Sequence, residues 1–206
     1  MKKVLSLVFL CFVIALLTTG CQTDNIGLLP ENDFKIEATP EEYFTFNEET
    51  GTITGYDTDG GLDVVIPSTI NGVDVEHIGD YAFKDNYLIS VTIPYGVTSI
   101  GYSAFSYNDL ASVNLPESLT DIAKYSFMSN KITSIDIPDS VTNIGFCAFV
   151  FNYITSITIG AEVDIDRSNG YTMGHNLGFM DVYDNFSKTA GTYIYHDWCK
   201  WWHKVS

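Results

Sequence analysis

The chain has 206 residues, 46% of them hydrophobic and 14% aromatic, enough for one domain with a sizeable core. It carries 26 acidic against 10 basic residues, a formal charge of −16. Such a surface repels nucleic-acid phosphates and anionic lipid headgroups, so nucleic acid and polybasic membrane docking are excluded as expected partners.

Residues 1–20 read as an export signal. Lys2 and Lys3 precede an apolar run from Val4 to Leu17, too short for a comfortable transmembrane helix, and small residues lead into Cys21. The end of this segment resembles a bacterial lipobox, although Thr18 stands where leucine is usual. Lipidation of Cys21 is the expectation, and ordinary signal cleavage close by is the alternative. The acidic, proline-containing stretch 21–42 then reads as a flexible tether between lipid and domain.

Residues 43–206 are expected to be the folded domain. In 43–61, "YFTFNEETGTITGY" places two strand-like runs around a glycine-containing turn, a hairpin signal for an N-terminal cap. From residue 62 to 163 the chain repeats itself, with a period of 22 seen most clearly from Leu88 onward. Leu88, Leu110, Ile132 and Ile154 align, as do Val91, Val113, Ile135 and Ile157. Phe83, Phe105, Phe127 and Phe149 form a further row, and Asn86, Asn108, Asn130 and Asn152 close the unit. The segment from Leu62 is a first copy with an insertion around the turn Asn71-Gly72.

A unit this short cannot bury its own apolar face, but stacked copies can. The runs "SVTIP", "SVNLP" and "SIDIP" alternate polar and apolar residues like half-buried strands, each ended by proline. The fold expected is therefore a repeat solenoid with one parallel β-sheet, short turns opposite, a β-rich N-terminal cap and an irregular C-terminal cap over 164–206. The Gly-x-x-Ala-Phe segment should turn with its phenylalanine plugging the coil. The asparagine row is expected to satisfy turn backbone groups rather than to bind a ligand. In the C-terminal cap, "GTYIY" reads as a further strand, with Trp198, Trp201 and Trp202 to cover apolar surface.

"VTIPYGVTSIGYSAF" resembles the BspA-type leucine-rich repeat of many bacterial surface proteins. Phe46 to Phe83 looks like the usual N-terminal lead-in of that family, and "KTAGTYIYHDW" like its C-terminal cap. Asparagine stands where many relatives carry cysteine. The resemblance implies a leucine-rich-repeat right-handed coil. It also implies a non-enzymatic surface protein that recognises other proteins, held in the bacterial cell envelope outside the cytosol. A glycan-capturing surface lipoprotein serving nutrient uptake and a structural envelope component are the alternatives.

Two sets of residues are candidates for binding. The outward sheet positions are Ser90, Thr92, Ser112, Asn114, Ser134, Asp136, Ser156 and Thr158. They offer hydroxyls and amides to a peptide backbone or a glycan, or else form a merely solvated face. The aromatic set at the turns is Tyr81, Tyr102, Tyr107, Tyr125, Phe146 and Phe151, with Tyr87 and Tyr153 flanking the asparagine row. These rings either stack on a partner or cover the edges of neighbouring coils.

Signals for chemistry are weak. His196, Cys199 and His203 have helical spacing for a metal but lack a fourth ligand, so no metal and no cofactor are expected. "DIDRSNG" from Asp164 fails the EF-hand pattern, with Asn169 where glycine belongs and His175 where glutamate belongs. Cys147 and Cys199 could pair outside the cytosol. No nucleophile elbow, metalloprotease helix or phosphate loop is present, so no catalytic residue is expected.

Overall fold

The computed structural model describes residues 37–166, 188–196 and 201–206. The described chain belongs to one compact unit, Ile36–Ser206.

The N-terminal cap is the expected hairpin. β1 (Phe44–Asn47) pairs antiparallel with β2 (Thr52–Tyr56), and Gly51 turns the chain with φ +60°. Then follow β3 (Asp63–Val65), β4 (Thr69–Ile70), β5 (Val73–Asp74) and β6 (His77–Ile78). β4 and β5 form a second hairpin around Asn71 and Gly72, both with positive φ, as a two-residue turn of this kind demands. The end of the stretch expected to be a tether is bonded to the domain. Thr39 is buried and exchanges bonds with Val65, through its N–H at 2.9 Å and its hydroxyl oxygen at 3.0 Å, and a carboxylate oxygen of Glu41 accepts the Asn71 N–H. Residues 39–42 are thus part of the domain.

The repeats supply β7 (Ser90–Thr92), β8 (Ser99–Ile100), β9 (Asp121–Ile122), β10 (Ser134–Asp136), β11 (Asn143–Ile144), β12 (Ser156–Ile159) and β13 (Asp164–Ile165). Their parallel pairing is split between two faces. The continuous sheet lies at the two-residue steps, in the order β1-β2-β6-β8-β9-β11-β13. The "SVTIP" face, where one unbroken ladder was expected, is interrupted. β3 pairs with β7, Thr92 and Asn114 form a lone bridge, and β10 pairs with β12. No pairing joins Ser112–Asn114 to Ser134–Asp136.

The core is a set of rows. Ile78, Ile100, Ile122 and Ile144 are buried one above the other in the continuous sheet. Phe83, Phe105, Phe127 and Phe149 stack with centroids 4.9, 5.3 and 5.2 Å apart and planes within 12°. Phe44 and Tyr56 of the cap pack on the first ring, so the stack does not open to water there. The phenylalanine turns carry a third set of inter-coil bonds. The N–H of Phe83, Phe105 and Phe127 donates to the carbonyl of Ala104, Ser126 and Ala148 at 2.7–2.8 Å.

The asparagine row is structural, as its position implies. Asn108, Asn130 and Asn152 are buried, and each accepts the N–H of Leu88, Leu110 or Ile132 one coil earlier. Their amide nitrogens donate to two phenylalanine carbonyls, one in the same coil and one in the coil before. Each asparagine therefore bonds across the coil boundary and within its own turn.

At the C-terminal end, β14 (Gly191–His196) pairs antiparallel with β12, and β15 (Trp201–Lys204) with β14. The cap expected to be irregular ends in an ordered antiparallel pair. Tyr193 and Trp202 are fully buried there, which closes the parallel stack with a strand of opposite direction. Trp198 lies outside the described residues.

Candidate binding surfaces

The eight sheet-face positions do not form one uniform strip. Ser90 is engaged, its hydroxyl donating to Asp63 at 2.7 Å. Thr158 is half-buried beside Thr192 of the cap, with hydroxyls 3.1 Å apart, and Ser156 is half-buried opposite Ile194. The middle of the face is open. Ser112, Asn114, Ser134 and Asp136 are exposed and line a groove of about 460 Å³, with Thr158 at one end. Ser90, Thr92 and Ser156 do not reach it.

The groove falls at the break in the ladder. On one side stands β10, which among the described strands pairs with β12 alone. On the other stands the run through Asn114, bridged to Thr92 on its far side and unpaired on the side that faces β10. Two acidic residues that the sequence did not single out, Glu117 and Asp139, complete the lining with Asp136, and no basic residue joins them. Glu117 and Asp139 are 22 residues apart and each follows the proline that ends its strand. That shared column was the available signal. Leu115, Ile137 and Pro138 add an apolar side.

The aromatic set divides into two groups. Tyr81, Tyr102, Tyr125 and Phe146 form a row with centroids 5.2, 5.5 and 5.5 Å apart, each ring meeting the next edge to face. Tyr81 and Tyr125 occupy one repeat position, and Tyr102 and Phe146 the position before it. Tyr107 and Phe151 stand apart, in the column shared with Asp85 and Ser129, and both are about half exposed. Lys84 bridges the groups, its ammonium 5.6 Å from the Tyr81 centroid and 5.7 Å from that of Tyr107. The rings are not sealed between coils: Tyr81 is 53% and Tyr102 37% exposed. Tyr87 and Tyr153 are more exposed still, as is Tyr95, which the repeat reading passed over.

The turns hold these side chains with backbone that few residues favour. Tyr81, Ser103, Tyr125 and Cys147 have φ between +52° and +62°, as do Asp85, Tyr107, Ser129 and Phe151. Each costs about 1–2 kcal/mol relative to ordinary helical or extended backbone. The bonds between coils and the buried phenylalanine hold the turn in that shape.

The weaker chemical signals find little support where they are described. Cys147 is buried, and burial, with the Asp166 carboxylate second, pushes its thiol up, the opposite of what a nucleophile or ligand requires. Asp164 lies in β13, and the Asp166 carboxylate pairs with Lys124 at 3.4 Å. The rest of that acidic loop lies outside the described residues, as do Cys199 and Cys21. Among the described residues no group of three or more His, Cys, Asp or Glu is placed to hold a metal.

Comparison with known proteins agrees with this geometry. The family described as BspA type leucine rich repeat region matches residues 65–192, in six copies. A leucine-rich repeat protein from Eubacterium ventriosum superimposes with a TM-score of 0.51 at 26% identity, over 59% of this chain and 35% of that one. The pneumococcal vaccine antigen PcpA superimposes with a TM-score of 0.51 at 24% identity, over 58% of this chain and 30% of that one, a likeness of fold alone. The chain thus spans about a third of the length of these two structures. No curated protein matches it.

Proposed function

The chain belongs to the BspA-type leucine-rich repeat family, and on that premise we propose that it is a non-enzymatic recognition protein of a bacterial cell surface. In this reading Cys21 carries lipid and anchors the domain outside the cytosol. The sheet-face groove takes a protein partner through an extended, lysine- or arginine-bearing segment. The observation that carries the reading is the groove itself, which is open, framed by two coils, and lined by Glu117, Asp136 and Asp139 with no cation among them. A pre-formed surface loses little conformational freedom on binding, and its charge favours a basic partner over an acidic one.

The test is a binding panel of secreted and matrix proteins on the mature protein, with extended basic and acidic peptides as defined probes. Basic probes should bind, weaken as salt is raised, and weaken about tenfold in the Asp136→Asn, Asp139→Asn variant. Binding that ignores both salt and the variant, or a preference for acidic probes, would remove the groove from the account. Metabolic labelling with palmitate, lost in Cys21→Ala, tests the anchor.

A further inference from the structure

The edge-to-face aromatic row shares no residue with the groove and serves no step of that reading. We propose that Tyr81, Tyr102, Tyr125 and Phe146 form a platform for an extended, uncharged, β-1,4-linked polysaccharide lying along the solenoid axis.

The row is not needed to close the core. The parallel phenylalanine stack does that, with all four rings fully buried. The outer rings differ in both setting and exposure. They meet at interplanar angles of 67°, 76° and 82°, and Tyr81 and Tyr102 leave much of their surface to water. Tyr125 and Phe146 are half-buried, so the row is most open at Tyr81 and Tyr102, and aromatic surface left to water there marks a contact surface.

Its spacing selects the occupant. One ring per coil, with centroids 5.2–5.5 Å apart in a zigzag and coils advancing about 4.8 Å, roughly keeps pace with the advance per sugar of an extended β-1,4 chain. The row also has a period of two. Tyr81 and Tyr125 share one repeat position with φ of +60° and +62°, and Tyr102 and Phe146 share its neighbour, so the same ring setting returns every second coil. A β-1,4 chain likewise flips each sugar and presents the same face every second unit. Sugar C–H faces pack on aromatic rings, and the tyrosine hydroxyls can donate to or accept from ring hydroxyls at the rim. An extended peptide advances about 3.3 Å per residue and drifts out of step with this row within two coils.

Charge narrows the class further. The chain's net charge of −16 opposes a polyanionic glycan. The cations beside the row are both engaged: Lys84 is held by the Tyr81 and Tyr107 rings and lies 3.7 Å from the Asp85 carboxylate, and Lys124, next to Tyr125, lies 3.4 Å from the Asp166 carboxylate.

Titration calorimetry on the intact mature protein tests this with cellohexaose and chitohexaose, against hyaluronan as the anionic and dextran as the α-linked comparison. At least one β-1,4 hexasaccharide should bind, and more tightly than its tetrasaccharide. Tyr102→Ala should weaken it about tenfold, and Tyr102→Phe, which keeps the ring, should stay within about twofold. Tyr81→Ala serves as the second variant should Tyr102→Ala fail to fold. The proposal is overturned by failure of both hexasaccharides to bind, by affinity unchanged in the alanine variant, or by equal binding of dextran or hyaluronan. None of these outcomes depends on the groove, so the two surfaces are judged separately.

Discussion

Asn130 accepts the backbone N–H of Leu110, one coil earlier, on its side-chain oxygen at 3.1 Å. Its amide nitrogen donates to the carbonyls of Phe105 and Phe127 at 2.9 and 3.1 Å, and all of this happens out of water. Asn130→Ala removes one side chain and leaves three buried backbone groups without that partner. Each such group costs about 1–3 kcal/mol when it cannot be rehydrated, so a loss of at least about 3 kcal/mol is expected in urea unfolding followed by circular dichroism. Asn130→Asp should be no milder, because a carboxylate cannot donate to the two carbonyls. A change below about 1 kcal/mol in both variants would mean that the row is decorative.

The phenylalanine stack should respond through neighbours rather than through its own burial alone. Phe127 lies between Phe105 at 5.3 Å and Phe149 at 5.2 Å, with planes inclined by 7° and 4°. Phe127→Ala is expected to cost about 3–5 kcal/mol, since it empties a site that flanking rings cannot fill. Tyr102→Ala, on the exposed row, should cost far less. In a solenoid the central cavity also uncouples the coils on either side, so the unfolding transition of Phe127→Ala should broaden as well as shift. Equal losses for the two variants would contradict the division into a core stack and an outer platform.

The rows were legible because each keeps one class of residue at a fixed interval of 22, and stacking turns that interval into contact. Four features were not. The continuous sheet is built from two-residue steps such as Ser99–Ile100 and Asn143–Ile144, too short to show strand alternation. The gap beside Asn114 leaves no trace in "SVNLP", since Val113 is buried much as Val91 is. The edge-to-face order of the aromatic row was hidden although its members were legible as a turn set: the rings change position from coil to coil, and only pairing alternate coils brings Tyr81 with Tyr125 and Tyr102 with Phe146. Finally, the acidic, proline-containing composition around Pro40 hides the bonds by which Thr39 and Glu41 join the domain.

Alkaline pH should weaken the fold. Burial pushes the Cys147 thiol up, with Asp166 adding to it, and burial first of all also raises the phenols of Tyr56 and Tyr193. A group whose value is raised on folding holds its proton more tightly in the native state. The native state then binds more protons than the unfolded chain above the ordinary thiol and phenol values, near about pH 8.5 and pH 10. Stability from these groups is therefore full below those values and falls as pH rises toward the shifted ones. Thermal melts from pH 7 to 11 should show a decline beginning near the thiol range, softened in Cys147→Ser at its lower end. The same burial predicts that Cys147 reacts with a thiol reagent in native protein far more slowly than in urea.

Within the repeats, the backbones of neighbouring coils approach closely at the entrance to the phenylalanine turns. A Cβ built on Gly145 would sit 2.4 Å from the Lys124 nitrogen and 2.7 Å from the Ala123 carbonyl carbon, and one on Gly101 would sit 2.7 Å from the Asp80 nitrogen. The obstacle is backbone of the preceding coil, which cannot swing aside as a side chain can. Gly145→Ala should therefore force the two coils apart and cost about 1–3 kcal/mol, the range expected for overpacking. The same column holds Ala123 in the third coil, where the methyl is tolerated and the neighbouring "SVTIP"-type ladder is reduced to the bridge between Thr92 and Asn114 on one side and to no pairing on the other. Ala123→Gly should accordingly change stability by less than about 1 kcal/mol, the backbone entropy of glycine offsetting any closer approach. Hydrogen exchange on the two variants separates the cases, because Gly145→Ala should speed exchange at the Gly145 N–H, which donates to Ile122 at 2.7 Å. Unchanged protection there, together with an unchanged melting temperature, would show that the coils have slack the geometry does not suggest.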